Sequence, residues 1–299
     1  MRSWLSAARP RTLPLSLSCI LMGSFLAAAQ GGFRWRVFGL AVLTTILLQI
    51  LSNFANDYGD NVSGIDNADR KVATRAVQTG AITPQRMLRA IILFSILTFM
   101  VGLGLLYVSL EGGTTQEFLS FLGLGILSII AAITYTVGKR PYGYAGFGDL
   151  SVLMFFGWIG VLGTYYLHTR LLDWSILLPA TSCGLFAVGV LNINNIRDIE
   201  NDRKSGKNSI PVRLGAAKAK TYHWFLLGSG LLCALLYVVL IHPKWSGILF
   251  LLTLPLFWKI ATGVQKGQRP EEIDPFLKRM ALSTLLFVVL FGVGQLISW

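Results

Sequence analysis

The feature that most constrains this chain is a series of apolar stretches, separated by short polar segments. The hydrocarbon core of a bilayer is about 30 Å thick, and an α-helix crosses it in about 20 apolar residues. The predicted spans are residues 12–30, 36–55, 88–110, 117–138, 148–168, 174–196, 221–242, 245–264 and 279–298. The pattern predicts an all-α, polytopic membrane protein with about nine transmembrane helices.

The low charge content supports the same interpretation. Only 13% of the residues are charged, which is about half the share found in soluble domains. A soluble surface would need the missing charge, whereas a lipid-facing surface would not. The net charge of +12 lies in the loops and forms no basic helix. It therefore favours attraction to anionic lipid headgroups and a phosphorylated substrate over binding of nucleic acid.

The first apolar stretch allows two interpretations. Arg2, Arg9 and Arg11 precede residues 13–26, which are followed by three alanines at 27–29. This arrangement is typical of a secretory signal with its cleavage site, but also of a first transmembrane helix. The retained helix is favoured, because a membrane protein follows it rather than a secreted domain.

The distribution of Lys and Arg predicts the orientation in the membrane. Of the 26 basic residues, 22 fall in the N-terminal tail and in the segments after even-numbered spans. The other four are Arg34, Arg36, Arg170 and Lys244. By the positive-inside rule, we expect a multi-pass protein of the cytoplasmic (inner) membrane with a cytoplasmic N-terminus and an external C-terminus.

Half of the 14 carboxylates belong to two clusters, each at the end of an even-numbered span. The clusters are Asp57, Asp60, Asp66 and Asp69 after the second span, and Asp198, Glu200 and Asp202 after the sixth. Both should therefore lie on the cytoplasmic side. Their matching places predict a single domain, 1–299, with two related halves (roughly 12–138 and 148–264) and a last helix at 279–298.

The spacing within each cluster predicts a stripe of oxygen ligands. Asn53, Asp57 and Asn61 are four residues apart, and Asn194, Asp198 and Asp202 repeat that spacing. Residues at this spacing share one face of a helix. Asp60 adds a further carboxylate to the first stripe.

Such stripes suit Mg²⁺, which prefers hard oxygen ligands and completes its shell with phosphate oxygens. The predicted metal ligands are Asp57, Asp60, Asp198, Asp202, Asn53 and Asn194. Lys71, Arg75, Lys139 and Lys207 are the cations expected to contact a diphosphate. Two alternatives are helix-end capping, which the helix macrodipole opposes at a C-terminus, and a cation pathway in a transporter.

A short turn at 134–149 lies on the same predicted side as both clusters and contains Tyr135 and Lys139. Its tyrosines and cations are typical of an interfacial belt. The shared side favours a part in the site instead.

These residues resemble a known family. The segments 53–60 (NFANDYGD), 194–202 (NNIRDIEND) and 206–215 (GKNSIPVRLG) are similar to those of the UbiA superfamily of intramembrane prenyltransferases. The segments 8–14, 64–70 and 75–80 resemble the members that prenylate 1,4-dihydroxy-2-naphthoate. Where the superfamily's first motif often ends in an acid, this chain has Gly64, with Asp66 two residues later.

The resemblance implies about nine helices around a central cavity and Mg²⁺-dependent transfer of a polyprenyl group from polyprenyl diphosphate. The implied acceptor is 1,4-dihydroxy-2-naphthoate, which would lose CO₂ and give demethylmenaquinone. The reaction would take place within the bilayer, so membrane lipid is also an expected partner. We expect Tyr135 and Lys139 to act in catalysis, Tyr135 by stabilising an allylic cation, and Arg9 or Arg11 to hold the acceptor carboxylate. The alternatives are another acceptor (4-hydroxybenzoate, haem or a chlorophyllide) and, in a different class, a cation-coupled transporter.

Overall fold

Nine helices cross the molecule in the computed structural model, which describes residues 1–64, 75–243 and 245–297. Each is long and apolar enough to span a membrane, and the described residues contain no strand. The helices are α1 (Arg2–Ala29), α2 (Trp35–Val62), α3 (Pro84–Ser109), α4 (Thr115–Thr134), α5 (Gly148–Thr169), α6 (Trp174–Arg197), α7 (Ala216–Ile241), α8 (Trp245–Lys266) and α9 (Pro270–Leu296). The predicted all-α, polytopic fold is confirmed.

Several helices extend beyond the apolar stretches that predicted them. α2 continues to Val62 instead of ending at residue 55, and α9 begins at Pro270 instead of residue 279. Proline at the first position and the acidic Glu271 and Glu272 in the first turn favour a helix start at that point. At 1.5 Å per residue α9 is about 40 Å long. Its charged first turns therefore project beyond a hydrocarbon core of about 30 Å.

α1 is interrupted near its start. Arg9 has a left-handed backbone conformation with φ of 49°, and Pro10 disfavours a helical conformation in the residue before it. The carbonyl of Ala8 is satisfied by the side-chain amide of Asn53 on α2, at 2.9 Å. The same amide lies 3.2 Å from the Thr12 hydroxyl. Asn53 therefore ties the bend in α1 to α2.

Aromatic side chains fill the interior between α6, α8 and α9. Phe186, Phe250, Phe257, Phe287 and Phe291 are all fully or almost fully buried. The ring centroids of Phe186 lie 4.6 Å from Phe257 and 4.8 Å from Phe287. Because lipid is as apolar as these rings, close packing rather than the hydrophobic effect holds the helices together here.

The N-terminal half, in contrast, leaves a partly open cavity of about 890 Å³ that is lined by residues of α1 to α6. The end of the bundle where α2 and α6 finish is called the site end below. The cavity begins there at Asn56 and Tyr135 and runs to Glu117 and Tyr166 at the opposite end. The two halves of the chain therefore differ in packing, and their relation as a repeat stays a prediction.

α5 and α6 approach each other closely at two glycines. A Cβ atom at Gly157 would lie 2.7 Å from the carbonyl oxygen of Ala180 and 3.0 Å from the Cα of Gly184. Gly157 belongs to the wider π-helical stretch Leu153–Leu162 of α5. Any side chain at position 157 would push the two backbones apart.

We expect Gly157→Ala to destabilise the protein by about 1–3 kcal/mol, because overpacking a close helix contact forces the backbone to move. Thermal unfolding in detergent measures the effect. Gly228→Ala on α7 is the control, since a Cβ there meets nothing within 4 Å. Equal melting temperatures for the two variants would contradict this account of the α5–α6 contact.

Candidate functional site

The structure places the described acids of both clusters at the site end, as the sequence predicted. Asp57 and Asp60 lie on the last turns of α2. α6 ends at Arg197, so the second stripe is not one continuous helix as expected: Asp202 lies on a separate short helix, Ile199–Lys204. The amide of Asp202 still donates to the carbonyl of Asp198 at 2.8 Å. The one-turn spacing of the two carboxylates is therefore kept across the break.

Tyr144 joins the two clusters. Its hydroxyl donates to the carboxylate of Asp60. The ammonium of Lys207 lies 6.0 Å from the centre of the Tyr144 ring and 3.1 Å from the carboxylate of Asp202. The amide of Asn208 donates to the Tyr144 carbonyl at 2.8 Å, which fixes the two loops against each other. Asp60 and Asp202 are thus linked through Tyr144 and Lys207, and this group of charged side chains at the site end is called the acidic pocket below.

The first cluster also organises the chain before α3. The carboxylate of Asp57 accepts hydrogen bonds from the amides of Ala76 and Val77, both at 3.2 Å. This contact brings Arg75 to the site, where its guanidinium pairs with Asp60 and donates to the carbonyl of Asn56 at 2.6 Å. Asp57 therefore positions a cation as well as being a candidate metal ligand.

The second cluster is organised by Arg197, whose side chain is 1% exposed. Its guanidinium donates two bonds of 2.7 Å to the carboxylate of Asp198 and one of 2.9 Å to the amide oxygen of Asn194. A further bond of 2.5 Å reaches Asp274 on α9, which also pairs with Arg11 at 3.5 Å. This network anchors the second cluster to α9 and to the N-terminal segment.

Sequence reasoning missed three of these residues. Tyr144 was part of the turn at 134–149 but was not singled out. Arg197 could have been found as a cation inside the second cluster, directly before Asp198. Asp274 was hidden because the segment before residue 279 was expected to be a loop.

The remaining predicted site residues are more scattered. Tyr135 is half-buried on the cavity wall, while Lys139 is exposed on the turn that follows. Arg9 lies at the bend of α1. Lys71, like Asp66, lies outside the described residues. The roles proposed for these residues, and for Asn53 and Asn194 as metal ligands, stay predictions.

The electrostatics of the pocket agree with the geometry. Burial raises the pKa of Asp202, with Lys207 opposing the shift and the negative charges of Asp198 and Asp60 adding to it. Burial, followed by the negative charge of Asp149 and then of Asp60 and Asp202, also raises the pKa of Tyr135. Tyr135 is therefore a neutral phenol whose ring borders a negatively charged pocket.

The donor set fits a magnesium ion that shares its shell with a phosphorylated ligand. Asp202 is almost fully buried, and apart from its pair with Lys207 neither carboxylate oxygen receives a hydrogen bond within the described residues. In the same part of the chain, no three Asp, Glu, His or Cys side chains converge into a ready metal cage. Mg²⁺ typically binds one or two carboxylates and takes its other ligands from water and phosphate.

Fold and site together define a polytopic helical membrane protein with a paired acidic pocket at one end of the bundle. The model of the UbiA prenyltransferase family matches residues 16–298. The chain belongs to this family. It is 48% identical to the 1,4-dihydroxy-2-naphthoate octaprenyltransferase of Haemophilus influenzae, over 100% of this chain and 97% of the relative. The enzyme of the same name from Escherichia coli is 49% identical, over 99% and 96%.

Solved structures share the fold. A UbiA homologue from Aeropyrum pernix superposes with a TM-score of 0.69 at 19% identity, over 94% of this chain and 96% of the other. A homologue from Archaeoglobus fulgidus, solved with DMAPP and Mg²⁺, gives a TM-score of 0.58 at 16% identity, over 98% and 99%. The nine helices and the family together make this chain a multi-pass membrane protein.

The Arg197 network leads to a mutational prediction. We expect Arg197→Lys to lower the rate of the family's reaction by about tenfold or more, since an ammonium cannot bind Asp198 through two parallel bonds and also reach Asp274. Initial rates of the purified protein measure this. Arg203→Lys is the control, because Arg203 pairs with Glu200 at 3.2 Å while both side chains are more than half exposed. Equal rates for the two variants would show that Arg197 does not position the cluster.

Proposed function

We propose that the protein transfers a polyprenyl group from polyprenyl diphosphate to 1,4-dihydroxy-2-naphthoate, with loss of the acceptor's carboxylate as CO₂, giving the hydroquinone demethylmenaquinol, which is demethylmenaquinone in its reduced form. The observation that carries the proposal is the junction of the acidic pocket with the apolar cavity. Asn56 and Tyr135 line that cavity. The Asn56 carbonyl also contacts Arg75 of the pocket. The diphosphate of the donor can therefore bind in the acidic pocket while its prenyl chain lies in the adjoining apolar cavity.

The choice of acceptor rests on the relatives. Two enzymes almost half identical over the full length carry the name 1,4-dihydroxy-2-naphthoate octaprenyltransferase. Arg9 and Arg11 are the proposed partners of the acceptor carboxylate. Arg11 pairs with Asp274, which in turn binds Arg197 of the second cluster. Both arginines precede the main part of α1, at the site end of the bundle.

In the proposed reaction, the carboxylates Asp57, Asp60, Asp198 and Asp202 hold Mg²⁺, assisted by Asn53 and Asn194. When bound, Mg²⁺ neutralises diphosphate charge and so improves the leaving group. Arg75 and Lys207 lie beside Asp60 and Asp202, within reach of the same ligand. They bind its phosphate oxygens, and Lys139 and Lys71 assist from the neighbouring loops.

The chemistry itself takes place where the pocket meets the cavity. The carbon–oxygen bond of the donor breaks, the electron pair leaves with the diphosphate, and an allylic cation remains. The apolar cavity excludes water from this cation, and the ring of Tyr135 faces it. A ring carbon of the acceptor then forms the new carbon–carbon bond, and the carboxylate on that carbon departs as CO₂, which restores the aromatic ring.

The distribution of basic residues supports a location in the cytoplasmic (inner) membrane with the site facing the cytoplasm. The site end carries Arg75, Arg197 and Lys207 together with the described acids of both clusters. The opposite end carries Arg34 and Arg170. In this orientation the acidic pocket lies on the cytoplasmic side of the membrane.

The reaction is tested by incubating the purified protein in lipid nanodiscs with Mg²⁺, octaprenyl diphosphate and 1,4-dihydroxy-2-naphthoate. We expect release of diphosphate and a product whose mass equals the prenylated acceptor minus CO₂. Chelation of Mg²⁺ should stop both. Product formed only with 4-hydroxybenzoate, haem or a chlorophyllide would refute the acceptor, and no prenylated product with any acceptor would refute the enzyme class.

A matched pair of variants tests the metal site. Asp202→Asn should abolish turnover, or require a much higher Mg²⁺ concentration, because an amide binds Mg²⁺ more weakly than a carboxylate. Glu200→Gln, on the same short helix but exposed, should leave the Mg²⁺ titration unchanged. The measurement is the initial rate against free Mg²⁺. Identical titrations for the two variants would remove Asp202 from the proposed ligands.

A further inference from the structure

The apolar cavity ends in a polar group at the end away from the site. Glu117 accepts a hydrogen bond from the Tyr166 hydroxyl at 2.6 Å and one from the Thr114 amide at 2.8 Å. It also pairs with Arg170 at 2.7 Å. Glu117 is the one charged residue among the described residues that line the cavity. Because the protein itself supplies hydrogen-bond partners for its carboxylate, Glu117 can end the apolar cavity without a ligand bound to it.

The cavity is nearly as long as the membrane is thick. From Glu117 to Tyr135 the chain rises about 27 Å at 1.5 Å per residue, compared with about 30 Å for the hydrocarbon core. Between these two residues the walls are mostly apolar. A short prenyl chain that starts at the diphosphate pocket would leave the far part of this space unfilled, whereas a long chain would use all of it.

Two glycines on neighbouring helices leave space in the wall of the cavity. A Cβ at Gly125 on α4 would meet nothing within 4 Å, and one at Gly102 on α3 would meet only the Thr44 methyl group at 3.9 Å. Both residues line the cavity. Measured from the end of the bundle away from the site, Gly102 lies about 11 Å from Ser109 at the end of α3, and Gly125 about 15 Å from Thr115 at the start of α4. They therefore lie at a similar depth, near the middle of the cavity.

Neither glycine is explained by local backbone needs. Both lie inside helices, where glycine costs about 1 kcal/mol relative to alanine, and neither has the positive φ that favours glycine. No neighbouring backbone approaches them as Ala180 approaches Gly157. A side chain at either position would occupy part of the cavity.

We propose that Gly102 and Gly125 set the longest prenyl chain that the enzyme accepts, with the donor's chain lying along the whole cavity as far as Glu117. The proposal rests on the proposed function, which supplies the polyprenyl diphosphate. The occupant is a polyprenyl chain because the cavity is continuous with the diphosphate pocket at Asn56 and Tyr135 and has mostly apolar walls.

The test compares four leucine variants with donors of increasing length: geranyl, farnesyl, geranylgeranyl and octaprenyl diphosphate. Gly125→Leu should lower the rate with octaprenyl diphosphate by about tenfold or more, since overpacking is costly, and leave the geranyl rate within about twofold. Gly102→Leu, at a similar depth on α3, should lower the octaprenyl rate in the same way and leave the geranyl rate within about twofold. Initial rates and product masses are measured at fixed Mg²⁺ and acceptor concentrations.

The controls are Gly123→Leu and Gly104→Leu, on the same two helices. A Cβ at either position meets nothing within 4 Å, and neither residue lines the cavity. Both variants should keep the wild-type ratio of octaprenyl to geranyl rates. The inference is overturned if Gly125→Leu and Gly102→Leu also keep that ratio, or lower all rates equally. A wild-type protein inactive with every donor would instead refute the proposed function.

Discussion

The structure depends on one chain of contacts that joins two distant parts of the sequence: Asp60, the Tyr144 hydroxyl and ring, Lys207 and Asp202. Each carboxylate would be costly to bury alone at a membrane protein's helix end. Here each has a cation beside it, and Tyr144 holds the two pairs together. The result is a compact polar pocket in a bundle that is otherwise apolar, which is what binding a highly charged diphosphate next to lipid requires.

The rest of the bundle supports this pocket in two different ways. The C-terminal half is packed with aromatic rings such as Phe186 and Phe287, and its helix α9 supplies Asp274, which holds Arg197 and through it Asp198. The N-terminal half leaves a cavity of about 890 Å³ beside the pocket. A closely packed half that positions charge and an open half that receives an apolar chain together suit a substrate with one charged end and one long apolar end.

The sequence was sufficient to predict the helices and the residues of the two clusters, because membrane spans and acidic stripes each follow a simple period. It could not predict the break after Arg197, because Asp198 at the break and Asp202 beyond it keep the one-turn spacing of a continuous helix. Contacts between distant segments, such as Tyr144 with Asp60 or Arg197 with Asp274, leave no periodic signal. The role of Asn53 at the bend of α1 depends on a backbone carbonyl, which side-chain patterns do not reveal.

A double-mutant cycle on ligand binding tests most directly whether both clusters hold one ligand. The affinity of a non-reactive prenyl diphosphate analogue is measured with Mg²⁺ for the wild type, Asp60→Asn, Asp202→Asn and the double variant. If both carboxylates act on one magnesium–diphosphate group, the two losses are not additive, with a coupling free energy of about 1 kcal/mol or more. Additive losses within about 0.3–0.5 kcal/mol would mean that the two clusters act independently, and would contradict the account.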